Sequence, residues 1–398
     1  GIDVAGLNQL GTNPAPTVRN NRIYDNGVIN NIHYPGRDYY ATNFADAENT
    51  VLDATGNGWG ATDPSVIARR IYDHTDSPSY SPVVNYSGFL DGAGNSIAGN
   101  YLNGTFATDT TLTAGTVYDV LGDLHVLAGA TLTIEAGAQL RFAGANMNLI
   151  VDGNLVVNGT DGNEVVFTSS KATPAAGDWA GIVINSSSAQ NLIDYADIRY
   201  ANYGVQFKAS SRGEVHNSII TRNNYGVYVI GDGIEANNPA PVVTNNQIYD
   251  NGLSADGLTR QSGRDYQSRS FGNAVNVVLD ASNNWWGTTN YTELENRIYH
   301  NPDNYTSPWV NFSTILDSAA GGVYKKTFLL KPIVSDTILS TGKTYVLERD
   351  IAVNAGATLT IPEGVRIEAR GNAARLTING TLIVKGTPTN RVVFTSSS

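Results

Sequence analysis

Residues 1–171 of this chain are written a second time at 226–398, displaced by 225 to 227 positions. The stretch Pro14 to Gly27 returns as Pro239 to Gly252 with 11 of 14 positions identical. Gly129-Ala130-Thr131-Leu132-Thr133-Ile134 returns as Gly356 to Ile361, and Val165 to Ser170 as Val392 to Ser397. A long internal period constrains a fold more than composition does, because each copy must offer a surface that its neighbour can cover. Both copies start and stop in mid-pattern, so the chain reads as about one and three-quarter units of an array. The expected organisation is one continuous solenoid: a partial unit at 1–171, coils present once at 172–225, and a second partial unit at 226–398.

A shorter period is nested inside the long one. Asn202-Tyr203-Gly204-Val205-Gln206-Phe207 recurs 22 residues later as Asn224 to Val229. Each such stretch holds three short runs in which aliphatic and polar residues alternate, broken by Gly, Asn, Asp or Ser. Leu124/Val126, Leu132/Ile134 and Leu140/Phe142 form one trio; Leu149/Val151, Leu155/Val157 and Val165/Phe167 form the next. Alternation sends one side chain of each pair inward and its neighbour outward. Three short strands per turn, stacked turn upon turn, predict an all-β, right-handed parallel β-helix. The doubled asparagines (Asn20-Asn21, Asn223-Asn224, Asn245-Asn246) fall where turns are needed. There Asn tolerates a left-handed backbone, and its amides can ladder from coil to coil.

Two segments interrupt the coils in each copy. One follows Asn26-Gly27 and Asn251-Gly252 and carries Gly36-Arg37-Asp38-Tyr39, repeated as Gly263-Arg264-Asp265-Tyr266. The other follows Trp59-Gly60 and Trp286-Gly287 and predicts a short helix. It has Asp63 and Pro64 at its start, or Asn290 with Glu293 in the second copy. Ile67 and Ile71, like Leu294 and Ile298, stand four apart and would press one helical face onto the stack.

Composition narrows the function classes. The net charge is −11 and the pI about 4.9, without the Lys and Arg clusters that nucleic acid requires. No apolar run approaches the ~20 residues of a membrane-spanning helix. The chain has no cysteine, which removes disulfides, thiolate metal sites and Cys nucleophiles together. Cys-free, Met-poor, Asn- and Thr-rich composition points to an extracellular or cell-surface setting, of the bacterial kind.

The Gly-Ala-Thr-Leu-Thr-Ile coil, the Phe-Thr-Ser-Ser strand, the Gly177-Asp178-Trp179-Ala180-Gly181-Ile182 stretch and the Asn-x-Trp-Gly turn resemble the right-handed parallel β-helix repeat family. This is the pectate-lyase-like superfamily in its broad sense, and the likeness is to its bacterial extracellular surface and adhesin-type members. It covers nearly the whole chain and implies the fold. That fold hosts lyases, hydrolases, epimerases, adhesins and inert stalks, so no single activity follows.

Polysaccharide-cleaving β-helices cluster carboxylates on one outer sheet, since lyases need Ca2+ and a base while glycosidases need two acids. The matching candidates here are Asp194, Asp197 and Arg199, expected to point outward from one coil, with His216 one coil above Asp194. The plainer account is a surface Asp–His pair among solvated charges. Gly-His-Gly, Arg-Ile-Lys and paired-Asp signatures of pectin hydrolases are absent, so the enzyme reading stands second. The duplicated loops offer Arg37, Asp38, Tyr39, Arg264, Asp265 and Tyr266 as a contact set for sugar or protein. Against that, Arg and Asp would pair locally and pin the loop. Trp59, Trp285 and Trp286 are expected to cover the core rather than stack on sugar. Asp-Gly turns at Asp152, Asp161 and Asp232 keep Ca2+ as a candidate cofactor, but the calcium-binding Gly-Gly-x-Gly-x-Asp repeat is missing; no metal site is expected.

What repeats is scaffold. The sequence therefore predicts a structural segment of a stalk, fibre, filament or adhesin shaft, which stacks end to end on copies of itself or on adjacent repeats. A polysaccharide lyase or hydrolase, and a carbohydrate-binding module, are the alternatives.

Overall fold

The alternating runs become strands, and each strand pairs in parallel with the strand one coil on. The computed structural model describes residues 1–398 apart from 30–31, 48–49, 75, 78, 98, 255–256, 302, 313, 320–325, 330, 348–349, 370–373 and 397–398. Its central body is a parallel β-helix with three faces. Strand Val117–Val126 belongs to two of them. Its first half pairs with Gln139–Phe142 and its second half with Asn148–Val151, so a single thirteen-stranded sheet bends there into two faces. The third face is an eight-stranded sheet running from Thr110–Leu112 to Trp309–Asn311.

Inward residues line up in three columns. Ile134, Val157, Ile193, Val215 and Val243 are successive register partners on the third face. Leu140, Phe167, Ile198, Ile220 and Ile248 do the same on the first, and Leu149, Ile182, Val205, Val227 and Tyr266 on the second. All are buried in one continuous core. Their contacts are between like side chains at strand spacing, which is why branched aliphatics dominate.

Turns are closed by polar ladders inside the body. Asn223 accepts from the Ala201 amide at 2.8 Å, and Asn251 accepts from the Asn223 amide at 3.1 Å. At the next corner, Ser218, Asn246 and Asn284 form an equivalent series. Asn20 and Asn245 take the left-handed backbone expected of them (φ 60° and 62°), and the second Asn of each pair carries the hydrogen bonds. At Asn223-Asn224 the left-handed residue is instead Arg222 (φ 57°), one position earlier. The ladder sets the register, and the residue ahead of it must take the turn.

Helices Pro64–Ala68 and Tyr291–Glu295 fill the second interruption. Ile67 and Leu294 lie in these helices and are buried as expected, but the helices end sooner than the spacing suggests, and Ile71 and Ile298 are buried instead in the strands Ile71–Tyr72 and Ile298–Tyr299. No helix of the described residues is long and apolar enough to cross a membrane. The duplication extends to hydrogen-bond register. Arg366 opposite Val393 repeats Gln139 opposite Val166, and Thr358 opposite Thr381 repeats Thr131 opposite Asn154.

Candidate functional site

The first set of candidates is divided by a corner. Asp194 and His216 are register partners on the third face, one coil apart. The chain then turns at Tyr195, whose φ is 48°, and strand Ala196–Arg199 carries Asp197 and Arg199 onto the first face. Asp197 forms an ion pair with Arg199 two residues away. Burial pushes the Asp197 carboxyl above its ordinary range, and the guanidinium only partly offsets it. Asp194 accepts from Asn217 Nδ2 at 2.8 Å rather than meeting His216. His216 Nε2 lies 2.8 Å from Glu214 and its Nδ1 2.9 Å from Thr244 Oγ1. The four residues thus fall in two pairs on different faces. All three of Asp194, Asp197 and Arg199 do lie on one coil, as expected, but the corner at Tyr195 turns them onto two faces.

The Arg-Asp-Tyr loops do not form the contact set expected of them. Tyr39 and Tyr266 are fully buried, and Asp38 and Asp265 are only 2% and 1% exposed. These four side chains present nothing to a ligand. Each Asp ends an asparagine ladder: Asp38 accepts from the Asn26 amide at 2.9 Å, and Asp265 from the Asn251 amide at 3.0 Å. The expected local Arg–Asp pairing is replaced by more distant arginines, Arg70 for Asp38 and both Arg260 and Arg297 for Asp265. Burial, opposed by Arg260, Asn251 and Arg297, pushes Asp265 up to about 6. Arg264 lies over the Tyr225 ring, 3.8 Å from its centroid. In both copies the arginine stem packs where a Cβ on Gly27 or Gly252 would sit, so these glycines are needed for close approach. Trp59 and Trp286 are buried edge-to-face against Tyr39 and Tyr266.

A cleft of about 450 Å³ on the outside of the second face gathers polar side chains, of which the sequence pointed only to Asp152, as an Asp-Gly turn. His74 is brought by the turn after strand Ile71–Tyr72, and its Nδ1 lies 3.2 Å from the Ser81 carbonyl. That contact assigns a proton to Nδ1 and turns Nε2 toward Asp123 Oδ2, 3.2 Å away. Burial disfavours a charged imidazole here, but Asp123 and the Ser81 carbonyl outweigh it and hold His74 above its ordinary range. Asp123 Oδ1 also accepts from the Asn148 amide at 2.7 Å. Beside this pair, His125 Nε2 lies 2.6 Å from Asp152 Oδ2, whose other oxygen accepts from Asn185 Nδ2 at 2.8 Å. Tyr203, Gln206 and Lys208 line the far side.

Two imidazoles, each oriented by a carboxylate, can hold and move protons. Asp123 and Asp152 are both engaged by imidazoles. Among the described residues no group of three His, Cys, Asp or Glu is arranged to hold a metal ion. At the edge of the cleft, Tyr203 clusters with Tyr225 and Tyr228, ring centroids 4.9 to 5.4 Å apart. The signal that could have found the cleft lies in the repeat itself. His74, His125 and Asp152 correspond to Asn301, Ala352 and Asn379, while Asp123 corresponds to Asp350. Outward positions that differ between otherwise matching copies mark where the first copy carries something extra.

A family model described as a pectate-lyase-like beta helix domain matches residues 104–238 and 332–398, together about half of the chain. The second segment is the repeat of the start of the first. No curated protein and no solved structure matches the chain.

Proposed function

The chain belongs to the pectate-lyase-like β-helix domain family, and from that premise we propose that it is a structural segment of an extracellular repeat protein. Its role is that of a stalk, fibre, filament or adhesin shaft, extended by stacking coil on coil. One observation carries this reading: the copies share core, ladders and strand register, while His74, His125 and Asp152 of the polar cleft are replaced in the second copy by Asn301, Ala352 and Asn379. Repetition has kept what builds the rod. Each coil covers the apolar residues of the one before it: Val157 and Phe167 are fully buried under Ile193 and Ile198, and end-to-end stacking would continue the same coil-on-coil burial. Electron microscopy of the purified protein at rising concentration should reveal end-to-end rods; short, dispersed particles at every concentration would count against it.

The cleft favours a second reading, in which the shaft engages a polysaccharide, to bind it or to cleave it as a lyase or hydrolase. Paired acid–base groups beside tyrosine faces suit a hydroxylated ligand. Screening polysaccharides for binding and for cleavage, with and without Ca2+, tests this directly. Any activity should fall in His125→Ala and survive Asp194→Ala.

A further inference from the structure

The cleft lies on a seam. On the second face, strand Ile71–Tyr72 closes a three-stranded sheet and Tyr101–Phe106 is hydrogen-bonded into the thirteen-stranded one, with no ladder joining the two among the described residues. Side chains must therefore hold the two bodies together at this point. His74 reaches from the first body to Asp123 on the second, at 3.2 Å. Tyr86 hydroxyl donates to the Leu121 carbonyl at 3.0 Å, and Asn103 Nδ2 donates to the Val84 carbonyl at 2.7 Å. Among the described residues the second copy has a corresponding seam, after strand Ile298–Tyr299. There the histidine is Asn301 and the tyrosine is Phe312, which has no hydroxyl. Asn301 still donates to the Ser307 carbonyl at 2.9 Å, as His74 Nδ1 does to Ser81. Asparagine thus preserves the turn, but it has no imidazole to bridge a carbonyl and a carboxylate as His74 does.

We infer that His74 and Asp123 form a proton-operated clasp that fastens the first seam, a pair that Asn301 does not repeat at the second. The imidazole must carry protons on both nitrogens to satisfy the Ser81 carbonyl and the Asp123 carboxylate at once. The groups facing it are Asp73 and Asp76 on its own turn, Asp123 and His125 on strand Val117–Val126, and Asp152 and Lys208 across the cleft. The nearest of these, Asp73 and Asp123, favour the protonated ring. Since the folded imidazole sits above its ordinary range, the clasp is complete below the unfolded value, near 6.5. It is lost as pH rises through the folded value, because the folded state then gives up the extra proton. The seam is tight in mildly acid medium and loosens toward alkaline pH. This goes beyond the shaft reading and does not depend on it.

His74→Asn installs the second copy's own residue, so the turn keeps its hydrogen bond and only the clasp is removed. Hydrogen exchange of the full chain, corrected for intrinsic rates, should show peptides from 83–86 and 117–126 about threefold to tenfold better protected in the wild type than in His74→Asn at pH 5.5. The two proteins should converge at pH 8.5, and peptides from 298–312 should not differ at either pH. Equal protection of the first seam at pH 5.5 would overturn the proposal. His125→Ala, which copies Ala352, should keep the wild-type dependence; losing it would assign the effect to the other pair. If His74→Asn does not fold, NMR titration of the wild-type imidazole decides. A midpoint above that of free histidine is expected, and one at or below it refutes the clasp.

Discussion

Asn246 is a residue whose whole contribution is internal. Its side-chain oxygen accepts from the Ser218 amide at 2.9 Å, and its Nδ2 donates to the Val215 and Thr244 carbonyls. Replacing it by alanine leaves those buried groups without partners. Asn246→Ala should therefore lower stability by about 2–3 kcal/mol in chemical denaturation. Asn224, next to the ladder and bonded to Asn202, should tolerate the same change at about 1 kcal/mol or less. The doubled asparagines were legible because Asn at a recurring turn has few structural uses. The Arg-Asp-Tyr triplet was misread for the opposite reason. Its residue types suit a contact surface equally well, and nothing local reveals that Tyr39 and Tyr266 turn inward while each Asp ends a ladder.

Among elements, the strands were readable because a period of two survives in runs as short as three residues when it repeats every coil. Corners were not. A change of face takes a single residue, such as Tyr195, and alternation simply resumes beyond it, so Asp194 and Asp197 looked like neighbours. Coils also approach one another at points with no side-chain signature. A Cβ on Gly159 would sit 1.9 Å from the Tyr195 carbonyl oxygen of the next coil. Backbone cannot yield there as a flexible side chain would. Gly159→Ala should destabilise the chain by about 1–3 kcal/mol, whereas Gly162→Ala, with no atom near its added Cβ, should lose only what its φ of 76° makes alanine unfavourable, about 1 kcal/mol. Denaturation midpoints of the two variants check the order.

Across the whole molecule, stability is distributed by neighbour contacts, so position along the axis matters as much as residue type. Ile198 is fully buried between Phe167 and Ile220, and Ile198→Ala should cost about 2–5 kcal/mol. Val384 is half exposed, and Val384→Ala should cost less than about 1 kcal/mol. The architecture as a whole was the most legible part, since the nested periods leave few other ways to bury each coil. The cleft was the least legible. It draws His74 from one segment and Asp152 from another 78 positions later, and only stacking places both on one face.

Parallel pairing also turns the body into a measuring rod. Each coil advances the axis by ~4.8 Å, and the tyrosines at 203 and 225, one coil apart, stack with centroids 5.0 Å apart. Any group mounted on an outer face therefore occupies a graduation fixed by the count of coils beneath it. A partner that reads two features along this surface reads a distance in whole coils, and inserting or deleting one coil would move every later feature by the same single step.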